Sequence, residues 1–245
     1  MAASGGRLRR AALAVSRVVA ACLLASGCAT QADSTPSAQA PSASAPSASQ
    51  PATSPSAVPT TDPSIVVVSA FANIFAAGHD RTPSPGGGGG GSLPPEWPLP
   101  SGATRIVTFP TVTGEVYGRI GQAPSNGPGG EELIDTDVES FGGISGIVHG
   151  SKAMFLVGVF LTDDPPADPA PERLDFTDNE DFDLLEPEIG QTFLIGDGIA
   201  RRYLVPAGAT RLFLGFAEGM LYKGPPGWYR NNSGELEAKV EMSID

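Results

Sequence analysis

The sequence predicts an all-β fold, a jelly-roll-like antiparallel β-sandwich over residues 64–245, placed behind a signal-type segment and a disordered linker. Three observations point there. Glycine and proline number 31 and 24 among 245 residues, which works against long helices. Short β-branched and aromatic runs recur between turn residues, and several alternate apolar with polar side chains at period two. No stretch holds a 3.6-residue apolar period long enough to make a helix.

Residues 1–27 read as an address. Arg7, Arg9, Arg10 and Arg17 supply a positive flank, and residues 18–25 form a short apolar run that ends in small residues. That run is too short to cross a hydrocarbon core of about 30 Å. The stretch Leu24-Ala25-Ser26-Gly27-Cys28 resembles the lipobox of bacterial lipoproteins, which implies that Cys28 becomes the lipidated first residue of the mature chain. An ordinary signal peptide with a chance cysteine is the other reading. Processing at Cys28 removes Cys22 and consumes Cys28, the only two cysteines, so neither a disulfide scaffold nor a thiol enzyme is expected. The mature chain then carries 11 basic against 27 acidic residues, since the four charges lost are all Arg. Anionic lipid repels such a chain, so a lipid anchor has to hold it at the membrane, on the extracytoplasmic side.

Residues 28–63 read as a tether. Of the 35 residues after Cys28, 9 are Ala, 8 Ser, 7 Pro and 5 Thr, and Val58 is the one sizeable aliphatic side chain. Nothing there can offset the entropy of ordering.

From residue 64 the pattern is strand-like. Ile65, Val66, Val67 and Val68 make a first β-branched run, followed by runs at 105–109, 111–117, 154–161, 192–195 and 203–205. Leu212, Leu214 and Phe216 then alternate with Arg211, Phe213 and Gly215, and Leu236, Ala238, Val240 and Met242 alternate with Glu235, Glu237, Lys239 and Glu241. Such alternation buries one face of an antiparallel sheet and wets the other. Two loops interrupt the strands. Residues 82–95 hold six consecutive glycines, 86–91, without the Lys-Ser or Lys-Thr of a phosphate loop, and are expected to be flexible. Residues 163–188 carry eleven acids and one Arg, a solvated acidic loop; Asp178, Glu180, Asp181 and Asp183 offer a second place for a cation, off the helical calcium-loop pattern.

The chemistry concentrates near the C-terminus. Phe216-Ala217-Glu218-Gly219 ends one strand, and Gly227-Trp228-Tyr229-Arg230-Asn231-Asn232-Ser233-Gly234 precedes the last. A carboxylate and two amide oxygens at adjacent strand ends suit a hard cation such as calcium, which takes six to eight oxygens. On spacing alone the same Asn-Asn-Ser-Gly reads more simply as a turn, because these residues tolerate left-handed backbone. The stretch resembles the calcium site of the PA-IL family, bacterial calcium-dependent galactose-binding lectins of β-sandwich fold. There an acidic strand end is followed by a Gly-x-Tyr-x-Asn-Asn-Ser-Gly loop, matched here by Glu218 and by Gly227, Tyr229, Asn231, Asn232, Ser233 and Gly234. Tyr117-Gly118 and Gly127-Pro128-Gly129-Gly130 are similar to an upstream segment of that family. The resemblance implies calcium held by side-chain oxygens of Glu218, Asn231 and Asn232 and by the carbonyls of Tyr117 and Trp228. It also implies a glycan whose vicinal hydroxyls complete the shell next to Glu218, Trp228 and Asn231. The chain departs from the family in three ways. Glu218 stands where the family has Asp, the loop between Glu218 and Asn231 is longer, and Glu131, Glu132, Asp135 and Asp137 follow Gly130 in place of a sugar-bonding His and Gln.

Other activities find little support. A net charge of −12 with no basic tract excludes nucleic acid as a partner. His79 and His149 are too few for a histidine-rich metal site, and Gly143-Ile144-Ser145-Gly146 falls short of a nucleophile elbow, which leaves a Ser145–His149 pair as a remote alternative. The expected protein is a surface lipoprotein whose sandwich binds calcium and glycans or glycoconjugates without catalysis. The alternative is a structural or adhesive envelope module that binds no sugar.

Overall fold

The computed structural model describes residues 62, 64–102, 104–119 and 126–244. The signal segment, Cys28 and nearly all of the tether lie outside the described residues. Fifteen strands follow in chain order: β1 (Ile65–Ser69), β2 (Glu96–Pro98), β3 (Arg105–Tyr117), β4 (Glu131–Glu132), β5 (Thr136–Val138), β6 (Ile147–His149), β7 (Lys152–Ala153) and β8 (Val157–Leu161), then β9 (Leu174–Asp175), β10 (Leu184–Leu185), β11 (Thr192–Leu194), β12 (Arg202–Leu204), β13 (Arg211–Gly215), β14 (Lys223–Gly224) and β15 (Ser233–Ile244). Three short 3₁₀ turns are the only helical pieces among the described residues. The all-β fold expected from the sequence is what forms.

The first sheet runs β1-β15-β3-β12-β10 and the second β11-β8-β13-β2. All pairs in both are antiparallel except β10 with β12. Their facing side chains make the main core. Val66, Val68, Val107, Phe109, Tyr203, Leu236, Ala238 and Val240 from the first sheet meet Phe160, Phe193, Leu212 and Leu214 from the second. In β15 the alternation is as expected, with Leu236, Ala238 and Val240 buried and Glu235 and Glu237 exposed.

The second sheet is covered on its other face too. Val157, Val159, Leu161, Leu194 and Phe213 pack with Ile74, Phe75, Val138 and Ile147, the last two from a third sheet, β14-β5-β6-β9. This is why β8 reads as an unbroken apolar run: all five of its residues are buried, and period-two alternation disappears when both faces are dry.

The two runs expected at 105–109 and 111–117 are one strand with a bulge. Lys239 pairs with Thr111 and Glu241 with Thr108, so Phe109 and Pro110 together oppose Val240. Pro110 has no N–H for the ladder, and a bulge is where a strand accommodates that. The bulge also shifts which residues face inward, from Val107 and Phe109 before it to Val112 and Val116 after it.

The glycine run, expected to be flexible, is instead packed. Gly86 N–H donates to the Pro226 carbonyl at 2.8 Å, while Trp228 and Tyr229 N–H donate to Gly87 and Gly89 carbonyls at 2.9 and 3.1 Å. A Cβ at Gly88 would lie 2.6 Å from Trp228 Cα, and one at Gly91 would lie 2.2 Å from the Phe71 carbonyl oxygen. The glycines are there because backbone passes against backbone.

Candidate functional site

The β13 exit and the β15 entry meet through Tyr229. Its side chain is fully buried; the hydroxyl donates to the Phe216 carbonyl at 2.8 Å and accepts from Glu218 N–H at 3.2 Å. Burial drives the Tyr229 phenol far above its usual range, so it stays a neutral donor. A further bond, Gly227 N–H to the Glu218 carbonyl at 3.0 Å, closes the excursion between the two segments. Residues fourteen apart in sequence are thereby brought side by side.

Glu218 is 2% exposed, and Asn232 is fully buried. The Asn232 amide donates to the Ala70 carbonyl at 2.9 Å and to Glu218 Oε2 in a short bond. Asn231 donates to the Gly118 carbonyl at 3.0 Å. These bonds also fix the orientation of both amides, since turning either one over would set its oxygen against a carbonyl or a carboxylate. Both Asn Oδ1 atoms are then left buried and without a partner. Among the described residues, the only other buried side-chain nitrogen or oxygen in that position is Arg105 Nε, which lies elsewhere. A buried acceptor left unpaired costs about 1–3 kcal/mol, so two of them beside one carboxylate need a physical reason.

Burial pushes the Glu218 carboxyl up to about 8, against the opposing effect of the Asn232 hydrogen bond. No cationic side chain pairs with it among the described residues. The site is therefore a set of buried oxygens whose carboxyl forms no ion pair with a described side chain.

A cavity of about 200 Å³ opens onto these groups, lined by Gly118, Glu218, Tyr222, Trp228 and Asn231, with Arg119, Met220 and Leu221 at its rim. Of the expected ligand residues, Glu218, Trp228 and Asn231 line this cavity, and Asn232 is bonded to Glu218 behind it. Tyr117 is the last residue of β3, paired with Ser233, and Gly118 after it forms the wall. A Cβ at Gly118 would sit 1.9 Å from the Tyr222 hydroxyl, so any side chain there would have to displace the Tyr222 ring. Burial, reinforced by the Glu218 charge, raises the Tyr222 phenol well above its ordinary value, and its hydroxyl stays protonated beside the cavity. Sequence reasoning did not single out Tyr222, Met220 or Leu221. They belong to the longer loop, and their only local signal is that length.

The backbone around the cavity is unusual. Leu221, Tyr222 and Trp228 hold φ of 54°, 60° and 73°, left-handed values that non-glycine residues seldom adopt. Trp228 is secured by its indole N–H, which donates to the Gly86 carbonyl at 2.9 Å.

In the acidic loop, Asp178, Glu180 and Asp181 border one pocket with His149, and Glu180 is already paired there. Glu180 accepts from Lys152 Nζ at 2.7 Å and bonds His149 Nε2 at 3.1 Å, and these hydrogen bonds outweigh burial to hold its carboxyl below the usual value. Among the described residues, no three His, Cys, Asp or Glu side chains gather as metal ligands. The Ser145–His149 pair is absent as well, because Ser145 Oγ donates to the Gly146 carbonyl and accepts from Thr192 N–H while His149 turns to Glu180.

No family model matches this chain, and no curated protein matches it either.

Proposed function

We propose that residues 64–245 form a calcium-dependent, lectin-like carbohydrate-binding module. The observation that carries this reading is the pair of buried, unpartnered amide oxygens, Asn231 Oδ1 and Asn232 Oδ1, next to the buried carboxylate of Glu218. Carboxylate, amide and main-chain oxygens are the donor set of a hard cation, and neither Cys nor His is among the residues that line the cavity. Glu218, Asn231 and Asn232 would hold the ion, with main-chain carbonyls of Trp228 and of the Tyr117-Gly118 corner alongside. Bound calcium supplies positive charge that answers the Glu218 carboxylate and the two amide dipoles, and it gives vicinal hydroxyls a place to bind. The protein's own contribution is the cavity, where Trp228 and Tyr222 present aromatic surface to the apolar face of a sugar ring. We read no catalysis into it.

The resemblance to the galactose-binding lectins supports the calcium half of the reading further than the sugar half, because the residues after Gly130 differ. On the sequence of residues 1–63, we further propose that the module is displayed outside the cytoplasm on a lipid anchor at Cys28. Calorimetry with calcium is the first test, with measurable heat and a raised melting temperature expected. Failure of both removes the reading. A glycan array with and without chelator then tests the sugar: signals that vanish with chelator are expected. Calcium binding with an empty array would instead leave a structural or adhesive envelope module.

A further inference from the structure

The six-glycine run is not used by the calcium reading, yet it lies directly under the loop that supplies most of the oxygens. Its carbonyls at Gly87, Gly89 and Gly88 accept from Trp228, Tyr229 and Arg230 N–H at 2.9, 3.1 and 3.4 Å, and Gly86 accepts from the Trp228 indole at 2.9 Å. Those three main-chain donors open the short turn Tyr229–Asn231, so they have no carbonyl of their own turn to bond. Steric room is equally specific. A Cβ at Gly86, Gly88, Gly89, Gly90 or Gly91 would come within 2.2–2.6 Å of Pro225, Trp228, Arg230, Thr82 or Phe71 atoms, whereas one at Gly87 would meet nothing within 4 Å. A merely permissive linker would show no such pattern.

The run is itself tied to the core. Asn73, fully buried, donates to the Gly90 and Pro83 carbonyls at 3.0 and 2.9 Å, and its backbone bridges to Phe216, two residues before Glu218. One element therefore reaches both segments of the candidate site.

We propose that the run 86–91 is a positioning strap that holds Trp228–Asn232 in the ion-binding arrangement before any ion arrives. This rests on the calcium reading and adds a role for residues outside the ligand set. A loop already in its bound conformation spends none of its binding energy on ordering, so loosening the strap lowers apparent affinity by the fraction of molecules that leave that conformation.

The experiment compares Gly88→Ala with Gly87→Ala in the otherwise unchanged protein. Both glycines have left-handed φ, 64° and 83°, so both variants carry backbone strain, and only the first also strikes Trp228. Calcium affinity is read by calorimetry, and terbium serves as a luminescent stand-in for calcium excited through tryptophan. Gly88→Ala is expected to weaken calcium by roughly tenfold or more and to dim the sensitised terbium emission, whereas Gly87→Ala stays within about twofold of wild type. Equal affinities in the two variants overturn the strap. Wild-type protein that binds no calcium overturns the functional reading instead, which is a distinguishable result. Hydrogen exchange on calcium-free wild-type protein decides the matter even if Gly88→Ala does not fold. Slow exchange at the Trp228, Tyr229 and Arg230 amides is expected, and exchange as fast as in a free loop refutes the proposal.

Discussion

Glu218 sits at the centre of the residue-scale chemistry. Its carboxyl titrates near 4.5 when unfolded and at about 8 when folded, so the folded state holds the proton more tightly. Its contribution to calcium-free stability is therefore fullest below about pH 4.5, declines as pH climbs from there to about 8, and levels off above. Glu218→Gln should flatten that slope. Denaturation in chelator should find the variant more stable than wild type by a few kcal/mol at pH 9, since each pH unit between the two titration points is worth about 1.4 kcal/mol, and near wild type at pH 4. It should also lose calcium binding. Equal pH slopes would mean that the carboxyl is hydrated and not enclosed. Asn231 and Asn232 were legible as candidate ligands from their place before the last alternating strand. Their unpaired oxygens were not, because which amide atom is left over depends on Ala70, Gly118 and Glu218, partners scattered over more than a hundred residues.

At the scale of elements, period two identified β15, whose Glu235 and Glu237 face water; β13 alternates Leu with Arg, Phe and Gly, yet four of its five residues are buried because its sheet is covered on both faces. β8 carried no such alternation. It is the central strand of a sheet sandwiched on both sides, and its class was readable only as a short apolar run. Phe160 faces the main core from that strand, its ring centroid 5.0 Å from that of Phe193. Phe160→Ala should cost about 3–5 kcal/mol in chemical denaturation, the range for a buried aromatic that leaves a cavity; a cost below about 1 kcal/mol would contradict the packing described. The joining of two expected strands into β3 has a similar origin. Pro110 lies between the two expected runs, and a bulge opposite Val240 lets the chain pass it without leaving the sheet. The glycine run was the hardest to read. Six identical small residues look alike whether they are free or pressed against Trp228, and only the facing backbone distinguishes the two.

At the scale of the whole molecule, calcium binding predicts a linked gain in stability. With the ion at a hundred times its dissociation constant, the gain is about 2.7 kcal/mol, which for a domain of this size raises the melting temperature by roughly 5–10 °C. Thermal melts in calcium and in chelator measure it, and superimposable curves would argue against a site. The anchor is a separate matter: Cys28→Ser should move the protein from the membrane fraction to the soluble one, and retention in the membrane would show that this residue is not the attachment point. By itself the sequence determined the class of the protein. Its glycine and proline content, alternating strands and cysteine-poor composition follow from local sterics and solvent exposure, which act on neighbours along the chain. Tertiary structure alone decided that a third sheet covers the second, that the glycines brace a loop about 140 residues away, and that two amide oxygens beside a buried carboxylate are left facing no partner. These depend on which distant segments exclude water together, a property of the packed whole that no local pattern records.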